Sequence, residues 1–181
     1  MENGPIKLSF EFLESVSPDE LWARFFINPA IALMEWYKKF PFPMDIECER
    51  IISKHINDNG QLQIELSWRP DTFPHSIRLL KTIQREVVVE YSAVAVAFLL
   101  VTVIANCTIT EVTLRGEKAD YFLNGRELML EVSGTENSKT AKTRHKEKGV
   151  QLQSNPYGKG GYVVVCCFSN RIAHFSFHPP L

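Results

Sequence analysis

Three acidic residues, Glu90, Asp120 and Glu131, stand on separate predicted elements, and a basic segment, residues 139–148, follows them. Carboxylates are hard oxygen ligands, and two or three that converge can hold a divalent cation. Cations close behind such a group can meet the phosphates of a nucleic acid. The chemistry such a set could perform is metal-assisted attack on a phosphodiester.

The elements that must position these residues follow from local pattern. Asn124-Gly125 predicts a two-residue hairpin turn, because a type I′ turn needs positive φ at both central positions. Counting back from that turn sets Asp120 opposite Met129 and makes Glu131 its diagonal neighbour, with Cα atoms roughly 7–8 Å apart. Asp120, Met129, Glu131 and Ser133 then share one face. Tyr121, Leu123, Leu128, Leu130 and Val132 share the other, an apolar face suited to a core. Mg²⁺ or Mn²⁺ fits two such carboxylates best, since these ions keep waters for a substrate phosphate. An antiparallel sheet with one wet face also carries Asp and Glu there, so pattern alone leaves a merely solvated face open.

Elsewhere, Ile6, Leu8, Phe10 and Phe12 alternate with other residues and predict a strand. Ser17-Pro18-Asp19-Glu20 reads as a capped helix start, and Asn28-Pro29 as the start of a second helix through residues 30–39. A hairpin is expected with strands 46–56 and 61–68 around Asn57-Asp58-Asn59-Gly60. A break at residues 70–74 precedes one long helix from about His75 to Ala105, which carries Glu90. Its uncharged stretch, residues 91–105, reads as a buried core helix, being about 22 Å long against roughly 30 Å of bilayer hydrocarbon. Strands follow at 108–114, 119–123 and 128–134, then a helix at 141–153 interrupted by Gly149 at about 1 kcal/mol relative to Ala. Strands 162–168 and 172–177 complete the chain. On the helix at 141–153, Arg144, Lys148 and Gln151 fall on one face.

This order of elements, with Glu90, Asp120 and Glu131 as landmarks, resembles the PD-(D/E)XK nuclease superfamily over residues 75–181. The resemblance implies an α/β (α+β) chain with a restriction-endonuclease-like αβββαβ core and a mixed sheet. It makes Glu90, Asp120 and Glu131 the metal ligands for Mg²⁺ or Mn²⁺. The family's lysine should stand two residues after the second acid, where this chain has Ser133. Some members place that cation on a neighbouring element, which makes Lys146 and Lys148 the candidates, with Lys148 orienting water or neutralising developing charge. The catalytic set is then Asp120, Glu131, Lys148 and Ser133, with Lys142, Arg144, Lys146, Lys148 and Gln151 facing nucleic acid. Gln153-x-x-x-Tyr157 echoes a glutamine–tyrosine motif of the RecB-like branch, with Pro156 standing inside it.

Composition bounds the alternatives. The chain has 181 residues, 45% hydrophobic and 23% charged, with a net charge of −1, as in ordinary globular domains. Residues 1–60 hold ten acids and six bases, while the remainder holds eleven acids and fourteen bases, so an anionic partner should meet the second part. The expected division is an N-terminal β-α-α-β-β lobe, residues 1–73, and the nuclease-like core, residues 74–181. Trp22, Trp36, Tyr37, Phe40 and Phe42 make that lobe aromatic-rich, a core by default and a protein-partner surface if exposed. Cys48, Cys107, Cys166 and Cys167 lack metal-binding spacing and read as buried free thiols. His174 and His178 lie too far apart on a strand for one ion and read as partly exposed; His145 reads as solvated. No signal segment is visible, and a cytoplasmic location without membrane contact is expected. Two functions are compatible with these residues. One is a divalent-metal-dependent nuclease acting on DNA or RNA. The other is a catalytically inactive relative that binds nucleic acid or protein within a larger complex.

Overall fold

A computed structural model of the chain describes residues 4–16, 20–71 and 76–181, of which 20–23, 57–58 and 76–77 are described by backbone alone. The N-terminal part comprises β1 (Ile6–Ser9), α1 (Phe10–Val16), α2 (Glu20–Trp36), β2 (Phe42–Ile52) and β3 (Asn57–Ser67). A 3-10 turn (Ser76–Lys81) leads to α3 (Arg85–Leu99), which runs on into a π-helical turn (Leu100–Ile104). Then come β4 (Ile109–Val112), β5 (Tyr121–Leu123), β6 (Leu128–Thr135), α4 (Ser138–Gln153), β7 (Gly161–Cys167) and β8 (Ile172–His178). This is a mixed α/β fold in which eight strands form one mixed sheet, ordered β1-β3-β2-β8-β7-β6-β5-β4. The strands of the N-terminal part join the rest through β2, which runs parallel to β8 from Asp45 beside Ile172 to Glu49 beside Ser176.

The sheet's faces are covered unequally. On one face α2 and α3 enclose the main core, where Ile27, Ile31, Val96 and Phe98 meet Leu130, Val132, Val164 and Phe175. Each such large apolar side chain contributes about 1.5–3 kcal/mol on burial. On the other face α4, the crossover between the parallel strands β6 and β7, covers a smaller cluster of Phe122, Met129, Leu152, Val163 and Val165. The helical stretch Arg85–Ile104 has mean hydropathy 2.4 and is long and apolar enough to cross a membrane, yet 72% of its most apolar window is buried inside the protein. That is how the core helix of a globular protein behaves. All four cysteines are free and buried.

Several local expectations are corrected. The first strand stops at Ser9, because the Ser9 hydroxyl accepts from the Glu11 N–H at 3.2 Å and starts α1 there. Pro29 does not begin a helix but lies inside α2, buried with its neighbours Ala30 and Ile31. The packing of that face offsets the one hydrogen bond a proline removes. Residues 57–60 belong to β3, and the reversal falls at 53–56, where Ser53 N–H donates to the Ile56 carbonyl at 2.8 Å. The long helix is broken before Arg85. Gly149 does not interrupt α4: it lies against the His178 ring, and a Cβ there would come within 2.6 Å of that ring's Cε1. The predicted cap at Ser17-Pro18-Asp19 and the Trp22 side chain lie outside the described residues. Trp36 and Phe40 are 60% and 61% exposed, whereas Phe42 is fully buried.

Candidate functional site

The site begins where a strand loses its neighbour. β5 pairs with β6 only from Leu123 beside Leu128 to Tyr121 beside Leu130. The turn therefore spans residues 124–127, with Asn124, Gly125 and Arg126 all at positive φ, instead of the expected two residues. Moving the register by two keeps every side chain on its predicted face. It also sets Asp120, one step beyond the last pair, beside Glu131 instead of diagonal to it; the Asp120 N–H donates to the Leu130 carbonyl at 3.0 Å.

Past Leu130, β6 has no strand on that side, and its inward N–H groups need acceptors. Asp120 Oδ2 accepts from the Val132 N–H at 2.8 Å, and Glu90 Oε2 accepts from the Gly134 N–H at 2.8 Å. Arg144 Nη1 donates to the Gly134 carbonyl at 2.5 Å and lies 3.6 Å from Glu90 Oε1. Glu90 reaches this edge because α3 packs hard on β6: a Cβ at Gly134 would sit 2.4 Å from the Val89 carbonyl oxygen. Ser133 Oγ, where the family's lysine was expected, donates to the Glu90 carboxylate at 3.2 and 3.3 Å.

Glu131 points to the opposite face, under α4, and has no solvent exposure. Lys148 Nζ and Gln151 Nε2 both donate to its Oε1, the latter at 2.9 Å. Its Oε2 is buried and has no partner among the described residues. Burial, and then the charge of Asp120, push the Glu131 carboxyl up to about 7, against the pull of Lys148. Burial raises Asp120 as well, opposed by its bond from Val132 and by Lys148. A buried pair of like groups held in this state favours a proton, or a cation, between them.

A divalent ion is tested by these donors. Among the described residues, no group of three or more His, Cys, Asp or Glu side chains could hold a metal ion. Glu90 is committed to Gly134 and Ser133. Asp120 Oδ2 is likewise committed to Val132, and the acid oxygen that keeps no partner among the described residues is Glu131 Oε2, a hard donor of the kind a divalent ion takes.

The structure thus brings Glu90, Asp120, Glu131, Ser133, Arg144, Lys148 and Gln151 around one stretch of β6. Lys142 and Lys146 are not part of it; they are exposed on α4 and make no bond to these acids. Gln153 and Tyr157 do not act together either, since the Tyr157 hydroxyl donates to Glu117. His178 is half-buried, as expected, whereas His145 and His174 are more enclosed than expected. His174 is buried with Nδ1 3.1 Å from Glu47, and the Ser176 hydroxyl bonds both His145 Nε2 and His178 Nε2 at 2.9 Å. Sequence reasoning missed Gly134, whose signal was its place beside Ser133 in a strand of otherwise bulky residues. It also missed Gln151 as a direct partner of Glu131. Comparison with family models, with curated proteins and with solved structures found no match.

Proposed function

We propose that the chain is a divalent-metal-dependent nuclease that hydrolyses phosphodiester bonds of DNA or RNA, on a restriction-endonuclease-like core formed by α3 to β7. The observation that carries this reading is the convergence of Lys148 on Glu131, beside Asp120, with one carboxylate oxygen left without a partner. The cation missing at Ser133 is supplied from α4 to the carboxylate it would have served. Mg²⁺ or Mn²⁺, held by Asp120 and Glu131, would supply Lewis-acid polarisation of the phosphate and a more acidic water. The residues do the remainder. Lys148 offsets negative charge next to Glu131 and presents its other protons to the phosphate oxygens. Gln151 fixes the Glu131 carboxylate by the bond its amide donates to Oε1. Arg144 holds the strand end through Gly134 and stands near Glu90 as a second positive group. Glu90 and Ser133 act as positioning residues.

A second reading has its own support. Glu90 and Asp120 each accept a backbone N–H of the open β6 edge, which is a structural duty. Under that reading the acids maintain the strand, and the protein binds nucleic acid or a protein partner without cleaving. The discriminating experiment assays cleavage of single- and double-stranded DNA and RNA with Mg²⁺ or Mn²⁺, beside EDTA and Glu131→Ala. Cleavage lost in both controls supports the nuclease. Cleavage that survives Glu131→Ala rejects this site, and no cleavage of any substrate leaves the binding reading. Calorimetric titration with Mn²⁺ adds a test independent of turnover. A bound ion must displace the proton of Glu131, so affinity should weaken as pH falls below about 7.

A further inference from the structure

A cleft of about 400 Å³ opens directly beside the acids, lined by residues 112–116, residues 118–121 and Gln151. Its volume falls in the range of small-ligand sites, roughly 300–1,000 Å³. It shares Asp120 and Gln151 with the carboxylate site. Its outer wall is the loop between β4 and β5, which carries two exposed cations, Arg115 and Lys118. Neither is ion-paired among the described residues, unlike Arg126, which pairs with Glu111.

The loop has a fixed shape. Thr113 N–H donates to the Asp120 carbonyl at 3.0 Å, and Glu117 N–H to the Leu114 carbonyl at 3.1 Å. The Glu117 carboxylate is turned to the Leu114 N–H and the Tyr157 hydroxyl, and it does not line the cleft. Gly116 and Lys118 adopt φ of 97° and 64°. Apolar surface flanks the cations: Val112 and Leu114 are 56% and 75% exposed. Positive charge without an ion-pair partner beside exposed apolar side chains suits an unpaired nucleic-acid strand, the cations meeting phosphates and the aliphatic surface packing on a base in place of the aromatic platforms such sites commonly use.

We infer that this cleft holds the nucleotides flanking the reacting phosphodiester, with Arg115 and Lys118 on consecutive phosphates, and that the strand enters unpaired. The inference rests on the reading above that the ligand is nucleic acid, but not on catalysis. Its test therefore reads binding. Fluorescein-labelled single-stranded DNA is titrated in EDTA against Glu131→Gln protein, with and without Arg115→Gln and Lys118→Asn, asparagine being chosen because it tolerates positive φ. The double substitution should weaken binding at least tenfold. It should also reduce the slope of log affinity against log salt by about 1.4, the value for two phosphate contacts on a single strand. Lys159→Gln, outside the cleft, should change affinity less than twofold. A neutral methylphosphonate backbone should bind wild-type and substituted protein alike. Equal affinity of the double variant for ordinary DNA overturns the cleft assignment, as does absence of single-strand binding by a protein that cleaves duplex. Binding that depends on Arg115 and Lys118 in a protein that never cleaves keeps the cleft and rejects the nuclease. Both positions are exposed, and matching thermal unfolding curves would exclude a folding defect.

Discussion

The two flanks of α4 face different strands, and each buries titratable groups beneath the same helix. On the β6 flank, Lys148 and Gln151 bind Glu131, a carboxyl that burial pushes up to about 7. On the β8 flank, His145 meets Ser176, His174 and His178, and burial followed by the neighbouring imidazoles pushes His145 down to about 4. Burial also lowers His174 and His178, although Glu47 works against it at His174. The difference is that the carboxylate flank has an unpartnered oxygen beside a second acid, whereas the His145 Nε2 and Ser176 Oγ have found each other. Burial of a titratable group is therefore common to a structural contact and a candidate site; the unsatisfied atom separates them.

The largest expected effect comes from Glu131→Gln. It should lower cleavage by roughly 10³-fold or more, on the scale of losing an essential acid–base or charge-stabilising group. At pH 8 without metal it should also stabilise the fold by up to about 3 kcal/mol, since one pKa unit is about 1.36 kcal/mol. The direction follows from proton binding. A carboxyl near 7 in the fold and 4.5 when unfolded makes the native state bind more protons between those values, so stability falls as pH rises through that window. Urea titrations at pH 8 and pH 4.5 check this; a variant no more stable than wild type at pH 8 would break the comparison at its acid side.

Lys148→Ala should reduce cleavage about 100-fold, while the exposed Lys142→Ala should reduce it less than threefold. Equal losses would mean that α4 acts as diffuse charge. Gly134→Ala should cost about 2–3 kcal/mol by forcing α3 from β6, and should reduce activity further by withdrawing Glu90. Thermal unfolding and cleavage measured together would check it, and a silent substitution would remove Gly134 as the reason for the close approach.

On the other flank, His145 is held below its unfolded value of about 6.5, so the unfolded chain binds the extra proton and stability falls as pH drops from 6.5 toward 4. His145→Gln keeps a bond to Ser176 and should remove about one proton from the acid slope of stability. This is the smallest effect, and urea midpoints across that range read it.

The order of elements and the face of every hairpin residue were legible, because period-two alternation survives a shift of two. The register itself was not. Asn-Gly signals a two-residue turn, but here the Asn124 side chain accepts from the Thr108 N–H at 2.8 Å, and the Arg126 guanidinium lies over the Phe122 ring at 5.1 Å. The first contact comes from outside the hairpin, at the residue before β4, and lies beyond local pattern. On α4, the i, i+4, i+7 spacing found Arg144, Lys148 and Gln151. Spacing set them apart from Lys142 and Lys146 but did not tell which of those faces lies on the sheet, because charge alone does not reveal which side of a helix is covered. Glu90 was found as a residue, but its duty to the Gly134 N–H depends on where β5 ends.

The place of β8 in the middle of the sheet has a consequence for how the protein is made. Asp45 waits for Ile172, and the β2 edge that faces β8 stays open until β8 has been made. Pairings so distant along the chain are slow to form, and an open edge is a template for pairing with other chains. Deleting β8 would take away the strand that joins two groups of strands, so the yield of soluble protein should depend on residues 172–178 more than on any residue of the candidate site.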